Sequence, residues 1–119
     1  MSDKNRVTIY YNPACSKSRQ TLGLLEDRGI EPKIIKYLDT PPDKATLEKI
    51  LEQLGLEPRD LMRKHEAEYK ENNLDDTNLS NDELIDAMLK YPKLIERPIV
   101  LANNKAILGR PPEDVLKIL

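Results

Sequence analysis

The sequence predicts an α/β fold in which a β-α-β unit and a β-β-α unit are separated by a helical insertion at about residues 41–91. Three observations support this prediction. A strand, a helix and a second strand follow one another near the N-terminus, and a long stretch of helical patterning comes next. Two apolar strands joined by Asn-Asn then precede a last helix. The 119 residues fit a single domain, residues 1–119.

The β-α-β unit begins with residues 7–11, VTIYY, which are β-branched or aromatic and end in the turn sequence Asn-Pro. Leucines at helical spacing predict a helix over residues 16–28, and Gly29 is a residue type that ends helices. Residues 33–38, KIIKYL, predict a second strand. Because one helix connects the two strands, we expect them to be parallel.

The insertion carries several helical segments. Thr40 is the predicted N-cap of the first, with Pro41 at its first helical position. Helical patterning continues over residues 58–70, whereas residues 71–79 are polar and predict a loop. Ser80-Asn81-Asp82-Glu83 is a capping-box sequence, which predicts that a further helix begins there.

The C-terminal part predicts a β-hairpin followed by a helix. Residues 99–102 and 105–108 are apolar strands, and the intervening Asn103-Asn104 tolerates the positive φ of a tight turn. Pro111-Pro112 begins the last helix. Without the insertion, this order of elements is that of a thioredoxin or glutaredoxin core, although other α+β folds also have this order.

Composition limits the classes of function. Charged residues make up 34% of the chain, with both signs mixed and a formal net charge of -2, which argues against a nucleic-acid binder. One Cys and one His cannot form an internal disulfide or a structural zinc site. No signal-peptide pattern and no membrane-spanning segment is found, so we expect a cytoplasmic protein whose thiol stays reduced.

Cys15 is the candidate catalytic residue. It follows the turn at Asn12 and directly precedes the first helix, so its sulfur faces backbone N–H groups and the positive end of the helix dipole. Lys17 and Arg19 add positive charge, and both effects lower the pKa of a thiol and favour the nucleophilic thiolate. A lone Cys is usually a small buried apolar residue, but this position favours the nucleophile.

Ser18 completes a Cys-x-x-Ser motif with Cys15. Serine cannot close a disulfide, so an external thiol has to resolve any oxidised product at the cysteine. The Ser18 hydroxyl is expected either to donate a hydrogen bond to the thiolate or to serve ordinary first-turn helix chemistry. We predict Asn12, Ser18 and Pro98 as supporting residues of the site.

Three arginines are candidate anion-binding residues: Arg63, Arg97 and Arg110. Arginine binds oxyanions through two parallel hydrogen bonds, although most arginines in so charged a chain are solvated. Pro98 begins the third strand, a position that is acceptable without any function and that a cis-proline occupies in thioredoxin-like folds. His65 lies in a charged segment, which favours an exposed side chain over an acid–base role.

Five motifs in order resemble the glutaredoxin-dependent arsenate reductase (ArsC) family. They are Tyr10-Tyr11-Asn12-Pro13-Ala14-Cys15, Tyr37-Leu38-Asp39-Thr40-Pro41-Pro42, Leu61-Met62-Arg63-Lys64, Arg97-Pro98-Ile99-Val100 and Gly109-Arg110-Pro111-Pro112. The resemblance runs from about residue 7 to the C-terminus. It implies a thioredoxin-like core with a helical insertion, in agreement with the predicted order of elements.

The resemblance also implies an activity. The family's cysteine, matched by Cys15, attacks arsenate; glutathione then displaces oxide to form a mixed adduct, and glutaredoxin completes the reduction to arsenite. Its three anion-site arginines match Arg63, Arg97 and Arg110. Glutathione is then a co-substrate and glutaredoxin a protein partner, with no bound cofactor and no metal. The best-known members have His where this chain has Tyr11.

Two alternative functions share the predicted fold. The first is a monothiol reductase that acts on glutathione mixed disulfides. The second, less favoured, is a Spx-like transcriptional regulator that binds RNA polymerase. Many such regulators carry a Cys-x-x-Cys redox switch, which Ser18 removes here, and no basic surface is apparent in the sequence.

Overall fold

The computed structural model describes residues 6–119, and the regular elements follow the predicted order. The α-helices and strands of these residues are β1 (Thr8–Tyr10), α1 (Ser16–Asp27), β2 (Lys33–Ile35), α2 (Lys44–Leu54), α3 (Ala67–Glu71), α4 (Asn81–Lys90), β3 (Ile99–Ala102) and β4 (Lys105–Leu108). Further 3-10 helices span Pro58–Leu61, Pro92–Leu94 and Pro112–Ile118. The prediction that the N-terminal segment has no signal-peptide pattern falls partly on residues 1–5, which lie outside the described residues.

The four strands form one mixed sheet in the order β2-β1-β3-β4. β1 is parallel to β2, with Ile9 opposite Ile34, and antiparallel to β3, with Ile9 opposite Val100. The prediction of a parallel first pair is therefore confirmed. β3 and β4 form the predicted hairpin, and both turn residues, Asn103 and Asn104, have positive φ (53° and 62°).

The chain divides into two compact units, of which the first contains the residues up to Thr40 together with Arg97–Leu119. Its core is built from the sheet, α1 and the C-terminal 3-10 helix. One cluster of buried residues in this core comprises Val7, Ile9, Leu25, Ile30, Val100, Ala102, Val115 and Ile118. α1 ends as predicted, because Gly29 adopts φ 74°, a conformation that glycine takes without strain.

The second unit, Pro41–Glu96, contains α2 to α4 and two of the 3-10 helices. Contacts of α4 with α2 and with both 3-10 helices hold it together. The predicted capping box is confirmed, since Ser80 Oγ accepts the Glu83 N–H (3.1 Å) and the Glu83 carboxylate accepts the Ser80 N–H (3.1 Å).

Two predictions in this second unit were wrong in detail. The N-cap of α2 is Asp43 rather than Thr40, because the Asp43 carboxylate accepts the Thr46 N–H at 2.8 Å, whereas the Thr40 hydroxyl donates to Lys36 O (3.3 Å). The segment 58–70 is not continuous: a 3-10 helix ends at Leu61, and Met62 instead forms a β-bridge with Ile95.

Two predicted elements are shorter or tighter than expected. The second strand ends at Ile35, and Tyr37 lies buried in the turn that follows. The last helix is a 3-10 helix that begins at Pro112. Among the described residues, no helix is long and apolar enough to cross a membrane.

Candidate active site

Cys15 lies at the N-cap of α1, where the backbone is still extended (φ −96°, ψ 121°). Asn12 closes the turn that presents the cysteine, because its carbonyl oxygen accepts the Cys15 N–H (3.0 Å) and its carboxamide oxygen accepts the Ala14 N–H (3.0 Å). The Cys15 carbonyl accepts the Arg19 N–H (3.1 Å) and so begins the helix. The prediction that Cys15 lies at the start of the first helix is therefore confirmed.

Two side chains of α1 bind back to this turn. Arg19 Nη1 donates to Pro13 O at 2.8 Å, and Ser18 Oγ accepts the Asn12 N–H at 3.3 Å. The sequence indicated Arg19 only as a nearby positive charge. Arg19 lies six residues after Pro13, across the turn and the first turn of α1, and this spacing is the feature of the sequence that could have indicated the contact.

The Cys15 side chain is 7% exposed. Burial raises the pKa of its thiol, but hydrogen bonding by the Ser18 N–H and hydroxyl, the charge of Arg97 and the Lys17 N–H together hold that pKa below its ordinary value. These donors at the helix start favour the thiolate, because a charged acceptor strengthens a hydrogen bond.

Arg97 and Arg110 lie at the open end of the β3–β4 hairpin. Arg110 Nε donates to Arg97 O (2.9 Å), and the Gly109 N–H donates to Pro98 O (2.9 Å), so two hydrogen bonds extend the pairing beyond the strands. The peptide bond between Arg97 and Pro98 is cis, as expected for this place in a thioredoxin-like fold. The bond between Arg110 and Pro111 is also cis.

Arg63 belongs to the second unit, Pro41–Glu96. Its guanidinium forms ion pairs with Glu66 (2.7 Å) and Glu96 (3.8 Å), and its side chain is 28% exposed. The Arg63 N–H also donates to Leu94 O at 2.7 Å. His65 is exposed, as the sequence predicted, and none of the described residues form a His, Cys, Asp and Glu cluster that could hold a metal ion.

Similarity to known proteins identifies the family of this chain. The sequence profile of the ArsC family matches residues 10–118. This chain belongs to the ArsC family.

Several proteins are similar to this chain over nearly its whole length. An Escherichia coli K12 protein, described as the uncharacterized protein YfgD, is 56% identical over 96% of this chain and 97% of its own length. An arsenate reductase of Neisseria meningitidis is 52% identical over 95% of this chain and 97% of its own. The structure of the Vibrio cholerae arsenate reductase is 57% identical and superposes with a TM-score of 0.93 over 96% of this chain and 98% of that one. The α/β, thioredoxin-like fold that the sequence predicts is thereby confirmed.

Proposed function

We propose that this protein is an arsenate reductase and that the Cys15 thiolate is its nucleophile. The observation that carries the proposal is the position of Cys15 at the N-cap of α1. Burial there raises the pKa of the thiol, but donors from Ser18 and the charge of Arg97 together hold that pKa below its ordinary value. A thiolate is the form of cysteine that attacks an electrophile. Relatives named arsenate reductase at 45–52% identity over nearly the whole chain support arsenate as that electrophile.

The first step is a condensation without electron transfer. The Cys15 thiolate forms a sulfur–arsenic bond, and one arsenate oxygen leaves as water after it is protonated. Arg97 and Arg110 offset the negative charge of the arsenate oxygens while this bond forms. Arg63 is the third oxyanion ligand that the family resemblance implies, and its part in binding stays a prediction.

The reduction then requires two further thiols. Glutathione displaces a second oxygen as water, which leaves As(V) bound to both sulfurs. A glutaredoxin thiolate attacks the glutathione sulfur, the electron pair of the broken arsenic–sulfur bond stays on arsenic, and As(V) becomes As(III). Water then releases arsenite and frees Cys15. In sum, one arsenate and two thiols give one arsenite, one mixed disulfide and one water.

Ser18 supports the dependence on external thiols. A cysteine at this position would resolve the oxidised product within the chain, whereas serine leaves that step to a second molecule. We therefore expect turnover to require glutathione, and thioredoxin alone, without glutathione, to support no comparable rate.

The test is arsenate-dependent oxidation of NADPH in a coupled assay with glutathione, glutaredoxin and glutathione reductase. Cys15→Ser should abolish the rate, and Ser16→Ala, at an exposed serine of the same turn, should leave it unchanged. If arsenate causes no NADPH oxidation while the protein reduces a glutathione mixed disulfide, the monothiol reductase alternative replaces the proposal.

A further inference from the structure

We propose that Thr21 and Gly109 are positioning residues whose contact sets the distance between α1 and the open end of the β3–β4 hairpin. Cys15 lies at the start of α1, and both Arg97 and Arg110 lie at that hairpin end. The inference rests on the proposed function, because it concerns the same thiol and the same arginines, and it assigns roles to two residues that do not touch the substrate.

The approach between helix and hairpin at this point leaves no room for a side chain on Gly109. A Cβ there would lie 2.5 Å from Thr21 Oγ1, 3.2 Å from Thr21 Cγ2 and 2.8 Å from Pro98 Cγ. Ordinary contact begins at 3.4 Å, so the hairpin end would have to move by about 0.9 Å from the Thr21 oxygen. Space therefore requires glycine at this position.

Thr21 is rigid enough to act as a spacer. It lies on the face of α1 that packs inward, one turn after Ser18, and both side chains are fully buried. The two branch atoms of Thr21, Oγ1 and Cγ2, both lie close to the position of a Cβ on Gly109, and a β-branched side chain in a helix has few χ1 rotamers, so rotation does not readily relieve the contact. Neighbours of a fully buried side chain also resist displacement, because protein interiors are close-packed.

The positions of Arg97 and Arg110 depend on the distance between Gly109 and α1. The Gly109 N–H donates to Pro98 O and Arg110 Nε donates to Arg97 O, both at 2.9 Å, so these four residues form one hydrogen-bonded unit. A shift of Gly109 away from α1 therefore moves the arginines with it. Arg97 contributes to the charge that acts on Cys15, so the shift would reach the thiol.

Variants of Thr21 can distinguish the effect of its shape from the effect of its hydroxyl group. Its oxygen is buried and has no hydrogen-bond partner among the described residues. Valine has the same shape without the hydroxyl, so Thr21→Val keeps the spacer. Thr21→Ile differs from Thr21→Val by one methyl group and presses on the contact from the helix side.

The experiment measures two properties of Cys15 in folded variants: the pH midpoint of its alkylation by iodoacetamide, and the protection of the thiol by arsenate. Gly109→Ala and Thr21→Ile should raise the midpoint and weaken arsenate protection about tenfold or more, because a misplacement of about 1 Å can cost a hundredfold. Thr21→Val should match the parent in both. In Gly109→Ala/Thr21→Ala the new methyl group fills the vacated space and should recover part of the loss.

Circular dichroism is the control for folding. If Gly109→Ala fails to fold, Thr21→Ile still tests the same contact. A parent-like midpoint and parent-like protection in Thr21→Ile and in folded Gly109→Ala would overturn the inference, since a purely structural contact changes only stability. An equal loss in Thr21→Val would also overturn it, because the hydroxyl itself would then be required. If the parent shows no arsenate protection, the proposed function fails, and the alkylation midpoints still decide the role of the contact.

Discussion

Arg63 and Arg97 are predicted for the same role, yet they lie in contrasting surroundings. Arg63, in the second unit, forms ion pairs with the carboxylates of Glu66 (2.7 Å) and Glu96 (3.8 Å). The charge of Arg97, in the first unit, acts on Cys15, whose negative charge appears only when the thiol ionises. The contrast teaches that one arginine orders a local ion-pair cluster while the other favours the reactive form of a thiol.

The largest effect on binding that we expect comes from Arg97→Ala. Loss of a charge-assisted hydrogen bond of about 1.5–3 kcal/mol should weaken arsenate binding by roughly ten- to a hundred-and-fifty-fold and raise the pKa of Cys15. Arg97→Lys should recover only part of the affinity, because lysine keeps the charge without the planar fork. Protection of Cys15 from alkylation by arsenate measures the affinity of each variant, and the pH midpoint of alkylation measures the pKa of Cys15. Arg28→Ala, at an exposed arginine of the same unit, is the matched control.

Arg63→Ala tests whether the paired arginine also binds the oxyanion, as the family resemblance predicts. Its two carboxylate partners compete with an anion, so we expect the lower end of the range, about tenfold weaker binding. The same titration, with circular dichroism as a folding control, provides the measurement. Parent-like affinity in Arg63→Ala would restrict the oxyanion site to the arginines of the first unit.

Ser18→Ala should have a smaller effect that does not involve arsenate. The variant removes the hydroxyl hydrogen bond that lowers the pKa of Cys15, while the Ser18 N–H remains. Alkylation near neutral pH should therefore slow by several-fold, since a smaller fraction of the thiol is ionised. Ser16→Ala is the control, because Ser16 is exposed and no bond from its hydroxyl lowers that pKa. An unchanged alkylation rate in Ser18→Ala would show that the hydroxyl serves only the helix turn.

The smallest effect concerns stability against pH. Because the pKa of Cys15 is lower in the folded protein than in the unfolded chain, the thiolate stabilises the fold fully above the unfolded value of about 8.5. This contribution is lost as the pH falls through the folded pKa. Urea unfolding of the parent and of Cys15→Ala should therefore show a difference in free energy of unfolding that grows over this window and then levels off.

Local sequence patterns predicted the elements that carry the candidate site. Asn103-Asn104 predicted the hairpin turn because two residues of positive φ are required there, and Gly29 predicted the end of α1 for a similar reason. The position of Cys15 followed from the turn at Asn12 and the helix after it. In each case the determining contacts lie within a few residues of one another along the chain.

The sequence could not reveal what depends on contacts between distant segments. The contact of Thr21 with Gly109 joins positions far apart in sequence, and no local pattern signals that a helix and a hairpin end approach so closely. The ion pair between Arg63 and Glu96 is hidden for the same reason.

The pH dependence of Cys15 alkylation tests the central claim most directly. The parent protein is treated with iodoacetamide across a range of pH, and mass spectrometry follows the modification of its single cysteine. We predict a midpoint clearly below the free thiol value of about 8.5, because Ser18, Arg97 and Lys17 stabilise the thiolate more than burial disfavours it. A midpoint at or above 8.5 would contradict the assignment of Cys15 as the nucleophile.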